Sequence, residues 1–290
     1  MAEGSDRGAS AQGSPRRAAA GYGWSDLIIA GLIFVFSQWA AALIYGMFGG
    51  TPPAADAEGA GFLRGRYLAA VYTIAMVLCV TLLALYGRIM GRSARLTFRA
   101  PGWASPIRLL SGYLLLWCFS TTAAVKEWLA GMKRRHPALN IAVSDFSIHL
   151  HTVWMFTLFE EIIFRGFLTG GMRRAYGGVA AWICPAVVFA AVHVAPAAMV
   201  TALAGGLVLG FYYLRYRSLV IVIMLHALNN TTACFLEVVG AGDVTVRDLA
   251  GGTWVATAIY GVCGVLSVAA LVRMFILVRR IKKDDCTAEE

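Results

Sequence analysis

Charged and amide side chains interrupt three of the most apolar stretches of the chain. They are Glu160, Glu161 and Arg165 on the first stretch, His193 on the second, and His226, Asn229 and Asn230 on the third. A charged side chain at the centre of a membrane helix costs about 2.5–3.5 kcal/mol. Several such costs in one short region indicate that these side chains face one water-accessible cavity and share one function.

The spacing of the two glutamates predicts different tasks for them. Glu161 and Arg165 are i,i+4 neighbours, so they share a helix face and can pair. Glu160 lies about 100° further round the same helix and remains as the free carboxylate. A carboxylate and an imidazole such as that of His193 can jointly hold and deprotonate a water molecule.

The third stretch supplies hydrogen-bond donors. His226 and Asn230 are one helical turn apart, and Asn229 at i+3 is nearly as well placed. An imidazole N–H and a carboxamide N–H₂ can both donate to the oxyanion that forms when an activated water attacks a carbonyl. The combination predicts hydrolysis of an amide bond by an activated water.

Other chemistries fit the residues less well. A G-x-S-x-G nucleophile motif is absent, and no cysteine lies in register with the histidines. One glutamate and two histidines resemble a zinc ligand set, but the sequence has no H-E-x-x-H, so we expect neither a metal nor another cofactor. A non-catalytic membrane immunity or scaffold protein and a proton-coupled transporter stay open as alternatives.

The composition indicates the elements that must position these groups. Hydrophobic residues make up 59% of the 290 and charged residues only 14%, against about 25% charged residues in soluble domains. The mean hydropathy is +0.68. These values exclude a water-soluble enzyme and a disordered chain. The net charge of +9 comes from basic residues between apolar runs, so the expected partner is the lipid bilayer and not a nucleic acid.

The apolar runs predict an all-α, polytopic membrane bundle of about eight transmembrane helices, because one span needs about 20 apolar residues. The runs are Trp24–Phe48, Tyr67–Tyr86, Leu109–Val125, Ile148–Leu168, Val179–Val194, Ala197–Leu214, Leu219–Val238 and Thr253–Val278. The predicted organisation is a disordered tail at 1–23, a transmembrane domain at 24–279 with its motif-bearing core at 148–238, and a charged tail at 280–290.

The basic residues predict the orientation. Alternate loops, counted with both tails, carry 16 Lys and Arg residues, and the other loops carry seven. The positive-inside rule places both termini in the cytoplasm, although the basic cluster Lys133–Arg135 counts against it. Glu160 and His226 then lie about 11–12 Å from the cytoplasmic span ends, which predicts a cavity open to that side. Ionisable groups near span ends, such as Asp26, are expected to reach the membrane interface.

Three motifs carry a resemblance to a known family. Residues 160–165 fit E-E-x-x-x-R, residues 189–193 fit F-x-x-x-H, and residues 226–230 fit H-x-x-x-N. In this order on successive membrane helices they resemble the CPBP family of CAAX proteases and bacteriocin-processing enzymes, which includes Rce1-like and Abi-like membrane proteins. The resemblance extends over Ile148–Val238.

The resemblance implies a glutamate-dependent intramembrane endopeptidase without a metal. Its catalytic residues would be Glu160 and His193, which activate water, and His226 and Asn230, which form the oxyanion hole. The supporting residues would be Glu161, Arg165 and Phe189. The implied substrate is a membrane-associated protein or peptide, with or without a lipid modification.

Overall fold

The computed structural model describes residues 21–52, 60–92, 96–98, 105–120, 146–193, 196–238 and 244–281. Helices account for nearly all of this part of the chain, so the predicted all-α fold is confirmed. In chain order they are α1 (Trp24–Met47), α2 (Ala60–Ile89), α3 (Ser105–Ser120), α4 (Phe146–Glu161), the π-helical segment π1 (Ile162–Thr169), α5 (Gly170–Tyr176), α6 (Gly178–Ala191), α7 (Pro196–Tyr216), α8 (Leu219–Val238), α9 (Val246–Leu249) and α10 (Thr253–Val278).

Among the described helices, α1, α2, α7, α8 and α10 are long and apolar enough to cross a membrane, while α3 and α6 contain shorter apolar segments. The count of eight spans therefore stays a prediction. The predicted bounds of the last two spans coincide with α8 and α10. The tails 1–20 and 282–290, the end of the third predicted span at 121–125 and the basic cluster at 133–135 lie outside the described residues.

The fourth predicted span is not one uniform α-helix. From Ile162 to Thr169 the backbone adopts the wider π-helical form, and the Gly170 N–H donates to the carbonyl of Arg165, five residues earlier. The Thr169 hydroxyl likewise donates to the Phe164 carbonyl at 2.8 Å. Helical segments of this kind occur frequently at functional sites, and this one directly follows the two glutamates.

Backbone hydrogen bonds bring several helix ends to one end of the bundle. Tyr22 N–H donates to the Gly171 carbonyl at 3.0 Å, and Gly178 N–H donates to the Ile281 carbonyl at 3.1 Å. Leu219 N–H donates to the carbonyl of Thr97 at 2.9 Å. We call this end, which holds the start of α1 and the end of α10, the terminal end of the bundle.

Asp26, expected at the membrane interface, is buried within the bundle. Its side chain is 1% exposed and lies between α1 and α2. The Tyr86 hydroxyl and the Gly23 N–H donate hydrogen bonds to it, and Arg92 Nε lies 3.2 Å from its Oδ2. Because α1 and α2 pack together here, the carboxylate is buried and needs these partners to offset its loss of hydration.

Small residues let α6 and α7 approach closely. A Cβ on Gly206 would lie 3.1 Å from the Cα of Ala186, so glycine is needed for this packing. The indole N–H of Trp182 on α6 donates to the Leu207 carbonyl on α7 at 2.7 Å. Close approach through small residues and interhelical hydrogen bonds is typical of membrane helix pairs, and here it fixes two walls of the site.

Candidate active site

A cavity of about 310 Å³ lies among α3, α4, α6, α7 and α8. This volume is at the lower end of the range of small-ligand sites. The cavity combines apolar walls with a few polar groups, and its lining residues are Leu116, Val153, Phe156, Glu160, Phe189, His193, Ala198, Thr201, Ala202, Gly205, Leu209, His226, Asn229 and Asn230.

Glu161 is the centre of a buried ionic network behind the cavity. Its Oε1 accepts a hydrogen bond from Arg165 Nη1 at 2.7 Å, and His226 Nδ1 lies 2.8 Å from the same oxygen. Glu161 and Arg165 are almost fully buried, at 0% and 2% exposure. Arg165 Nη2 also lies 3.5 Å from the carbonyl oxygen of Gly206. The i,i+4 pair predicted from the sequence is thus present, and it extends to α8 through His226.

Glu160 has different surroundings and is only partly buried. Its Oε1 accepts a hydrogen bond from the Tyr72 hydroxyl of α2 at 2.7 Å, and its Oε2 lies 3.8 Å from His226 Nε2. It lines the cavity, whereas Glu161 does not. The interpretation of Glu160 as a free carboxylate therefore needs correction, because one of its oxygens is held by Tyr72.

Sequence reasoning missed Tyr72. It belongs to no motif, and it lies 88 residues before Glu160. A tyrosine in an apolar helix does not by itself indicate a function, because tyrosine is a common residue of membrane helices. Only the packing of α2 against α4 brings it to the site.

His193 lies just beyond the last residue of α6 and points one ring nitrogen at the backbone. Its Nδ1 is 2.7 Å from the carbonyl of Phe189. Because a carbonyl only accepts, Nδ1 carries the proton, and in the neutral ring Nε2 keeps its lone pair. Since His193 also lines the cavity, this nitrogen can accept a proton there.

Phe189 is packed at the centre of the polar residues. Its ring centroid lies 4.7 Å from that of His193 and 5.9 Å from that of His226, both in edge-to-face geometry. The guanidinium carbon of Arg165 lies 4.7 Å from the same centroid, which is a cation–π contact. The ring separates the two imidazoles and fixes their orientation.

The two asparagines lie side by side on α8. Asn229 Nδ2 donates to Asn230 Oδ1 at 3.3 Å. Both residues line the cavity. Because the amide oxygen of Asn230 faces Asn229, its N–H₂ group is the end left for a ligand.

The cavity does not lie near the terminal end of the bundle. Glu160 lies at the end of α4, where π1 and α5 continue the helix toward the terminal end, and His226 lies within α8. Ala198 and His193 lie at the opposite end, beside the start of α7 and the end of α6. The lining thus extends away from the end that the positive-inside rule places in the cytoplasm, and the orientation of the termini and the opening of the cavity to the cytoplasm stay predictions. Counting residues from the ends of the predicted spans gives the depth of Glu160 and His226 in the membrane. It does not give the position of the cavity around these two side chains.

Among the described residues, no group of three or more His, Cys, Asp or Glu side chains is arranged to hold a metal ion. The expectation of a metal-free site stays a prediction.

A comparison with protein families shows which family this part of the chain is similar to. The family model for type II CAAX prenyl endopeptidases, Rce1-like, matches residues 143–232. The match covers about a third of the chain and contains all three motifs, and it confirms the predicted resemblance to CPBP and CAAX proteases. At the level of the family it supports an intramembrane endopeptidase and, with the apolar helices, an integral membrane protein. No curated protein and no solved structure matches the chain.

Proposed function

We propose that the protein is a glutamate-dependent intramembrane endopeptidase that hydrolyses a peptide bond of a membrane-associated protein or peptide. The observation that carries the proposal is the convergence of Glu160, His193, His226 and Asn230 from three helical segments on one cavity. The cavity has apolar walls for a substrate chain and polar groups at one place for its peptide bond.

The first step is the activation of a water molecule. Glu160 is an acceptor for one proton of this water, and His193 Nε2 offers a lone pair for the other. The water oxygen attacks the carbonyl carbon of the scissile peptide bond. One water proton passes to this pair of groups, and the π electrons of the carbonyl move onto its oxygen.

Donors on α8 stabilise the resulting oxyanion. The N–H₂ group of Asn230 is one donor. His226 can be the second only in its imidazolium form, because its Nδ1–H is directed at Glu161 and a neutral ring would carry no proton on Nε2.

Collapse of the tetrahedral intermediate completes the reaction. The proton taken from water passes to the amide nitrogen, the carbon–nitrogen bond breaks, and its electron pair stays with nitrogen. The products are a carboxylic acid and an amine, which together contain the atoms of the peptide bond and one water.

A non-catalytic scaffold is the second candidate, and the buried contact of Glu161, Arg165 and His226 favours it. These three side chains connect α4, π1 and α8, as interhelical polar groups often do. The network does not explain why Glu160, His193 and Asn230 line one cavity. The peptidase proposal accounts for both sets of residues.

Purified full-length protein in lipid nanodiscs, incubated with a peptide library that includes prenylated and unmodified peptides, tests the proposal. Glu160→Gln preserves the shape of the side chain and removes its charge, so it should abolish cleavage while the thermal unfolding temperature stays unchanged. His193→Ala should also remove nearly all turnover, because both groups hold the water. A strong chelator should leave wild-type activity intact.

The outcomes separate the candidates. Cleavage by Glu160→Gln at the wild-type rate would disprove the mechanism, and loss on chelation with rescue by Zn²⁺ would show that it needs a metal. A scaffold would show no cleavage of any peptide, and both substitutions would reduce its stability.

A further inference from the structure

Tyr72 is the one described residue outside the family-matched segment whose side chain donates a hydrogen bond to Glu160. It lies in the first half of α2, which packs against α4. Its ring contacts the ring of Phe156, one turn before Glu160, with centroids 3.8 Å apart. The ring is thus held by packing, and its hydroxyl is directed at the carboxylate.

The hydrogen bond gives the two oxygens of Glu160 different roles. Oε1 accepts from the Tyr72 hydroxyl at 2.7 Å, while Oε2 is the oxygen nearest to His226 Nε2, at 3.8 Å. Tyr72 itself does not line the cavity. Tyr72 therefore contacts the carboxylate from outside the cavity and leaves the second oxygen available to the reacting water.

A carboxylate side chain can turn about its last carbon–carbon bond, so either of its oxygens could face the cavity. A hydrogen bond donated to a charged acceptor is about twice as strong as one between neutral groups. The bond from Tyr72 therefore favours the orientation in which Oε2 is directed toward His226. This orientation decides which oxygen can accept a proton from the proposed water.

We propose that Tyr72 is a positioning residue that fixes which oxygen of Glu160 faces the reacting water. This inference rests on the proposed peptidase function and adds a residue to it. Because Tyr72 acts through Glu160, its loss should change turnover more than substrate binding.

Tyr72→Phe keeps the ring against Phe156 and deletes only the hydroxyl. The matched control is Tyr212→Phe, which removes another interhelical hydroxyl contact, from Tyr212 to Ser111 Oγ at 2.9 Å, without contact to Glu160. We expect Tyr72→Phe to lower kcat about 10- to 100-fold with KM nearly unchanged, the cost of a hydrogen bond to a charged group. Tyr212→Phe should retain the wild-type kcat and KM.

Infrared spectroscopy detects the same hydrogen bond without substrate. The difference between the wild type and Glu160→Gln gives the carboxylate stretching bands of Glu160, and in Tyr72→Phe these bands should shift because one oxygen has lost its donor. A Tyr72→Phe spectrum identical to that of the wild type, or a kcat loss equal to that of Tyr212→Phe, would overturn the inference. A wild-type protein that cleaves no peptide would refute the proposed function alone, because the infrared result does not depend on cleavage.

A nearly isosteric change keeps the inference testable if Tyr72→Phe does not fold. 3-Fluorotyrosine placed at position 72 makes the hydroxyl a better donor and leaves the packing unchanged. It should shift the carboxylate stretching bands of Glu160, measured as the difference from Glu160→Gln. Unshifted bands would contradict the inference.

Discussion

Glu160 and Glu161 are identical neighbours in the chain, yet the protein gives them different surroundings. Glu161 is completely buried and bound by Arg165 and His226, whereas Glu160 borders the cavity and is held by Tyr72. A residue that already neutralises an arginine in a dry environment is poorly suited to accept protons during turnover. We therefore assign the proton transfer to Glu160 and the orientation of His226 to Glu161.

The two asparagines provide a sharp test at the same scale. Asn230→Ala should lower kcat/KM roughly 10²–10³-fold, the usual cost of one oxyanion donor. Asn229→Ala should cost clearly less, because the amide N–H₂ group of Asn229 donates to the amide oxygen of Asn230. Steady-state kinetics on both variants checks this, with thermal unfolding as the control for stability. Equal losses would show that the donor at position 230 has no special role.

Much of the candidate site could be predicted from residue types and spacing. The pairing of Glu161 with Arg165 follows from one helical turn, and the gathering of Glu160, His193, His226 and Asn230 follows from the cost of polar groups in lipid. Tyr72 could not be predicted, because its role depends on which helix packs beside α4. The direction in which His226 points could not be predicted either, since it depends on a contact between distant parts of the chain.

Helices position the site through two departures from regular geometry. The π-helical segment inserts extra residues per turn at 162–169, so the helix beyond it is rotated relative to a continuous α-helix. Hydrophobic periodicity predicts a helix here but not its width, because π and α forms bury similar residues. The second departure is the close contact between α6 and α7 at Gly206, which brings His193 and the small-residue wall of α7 to opposite sides of one cavity.

Substitution of two adjacent glycines of α7 distinguishes an effect on helix packing from an effect on the cavity. A Cβ at Gly206 would lie 3.1 Å from both the Cα and the Cβ of Ala186, whereas a Cβ at Gly205 would meet only a Leu116 methyl at 4.0 Å. Gly206→Ala should therefore destabilise the protein by about 1–3 kcal/mol through overpacking. Gly205→Ala should leave stability unchanged, although it narrows the cavity. Thermal unfolding in nanodiscs compares them, and a neutral Gly206→Ala would mean that α6 and α7 can separate without cost.

At the scale of the whole molecule, a group of arginines and the cavity lie toward different ends of the bundle. The terminal end carries Arg88, Arg92, Arg173, Arg174, Arg215, Arg217, Arg279 and Arg280. The cavity runs from the middle of the bundle toward the opposite end, where α7 begins. If the positive-inside rule sets the orientation, substrate reaches the cavity from the non-cytoplasmic side or from within the bilayer. The orientation thus restricts which membrane-associated peptides the proposed peptidase can meet.

Labelling of single cysteines tests this arrangement. In a background without the six native cysteines, Arg280→Cys places a thiol at the exposed terminal end and Ala198→Cys places one in the cavity. With a membrane-impermeant maleimide on intact cells, we expect Ala198→Cys to react and Arg280→Cys to react only after permeabilisation. Leu266→Cys, on the lipid-facing middle of α10, is the control and should react in neither condition.

Reaction of Arg280→Cys alone in intact cells would show that the bundle is inverted and that the cavity serves cytoplasmic substrates. Reaction of Arg280→Cys and Ala198→Cys from the same side would contradict the separation of the cavity from the terminal end.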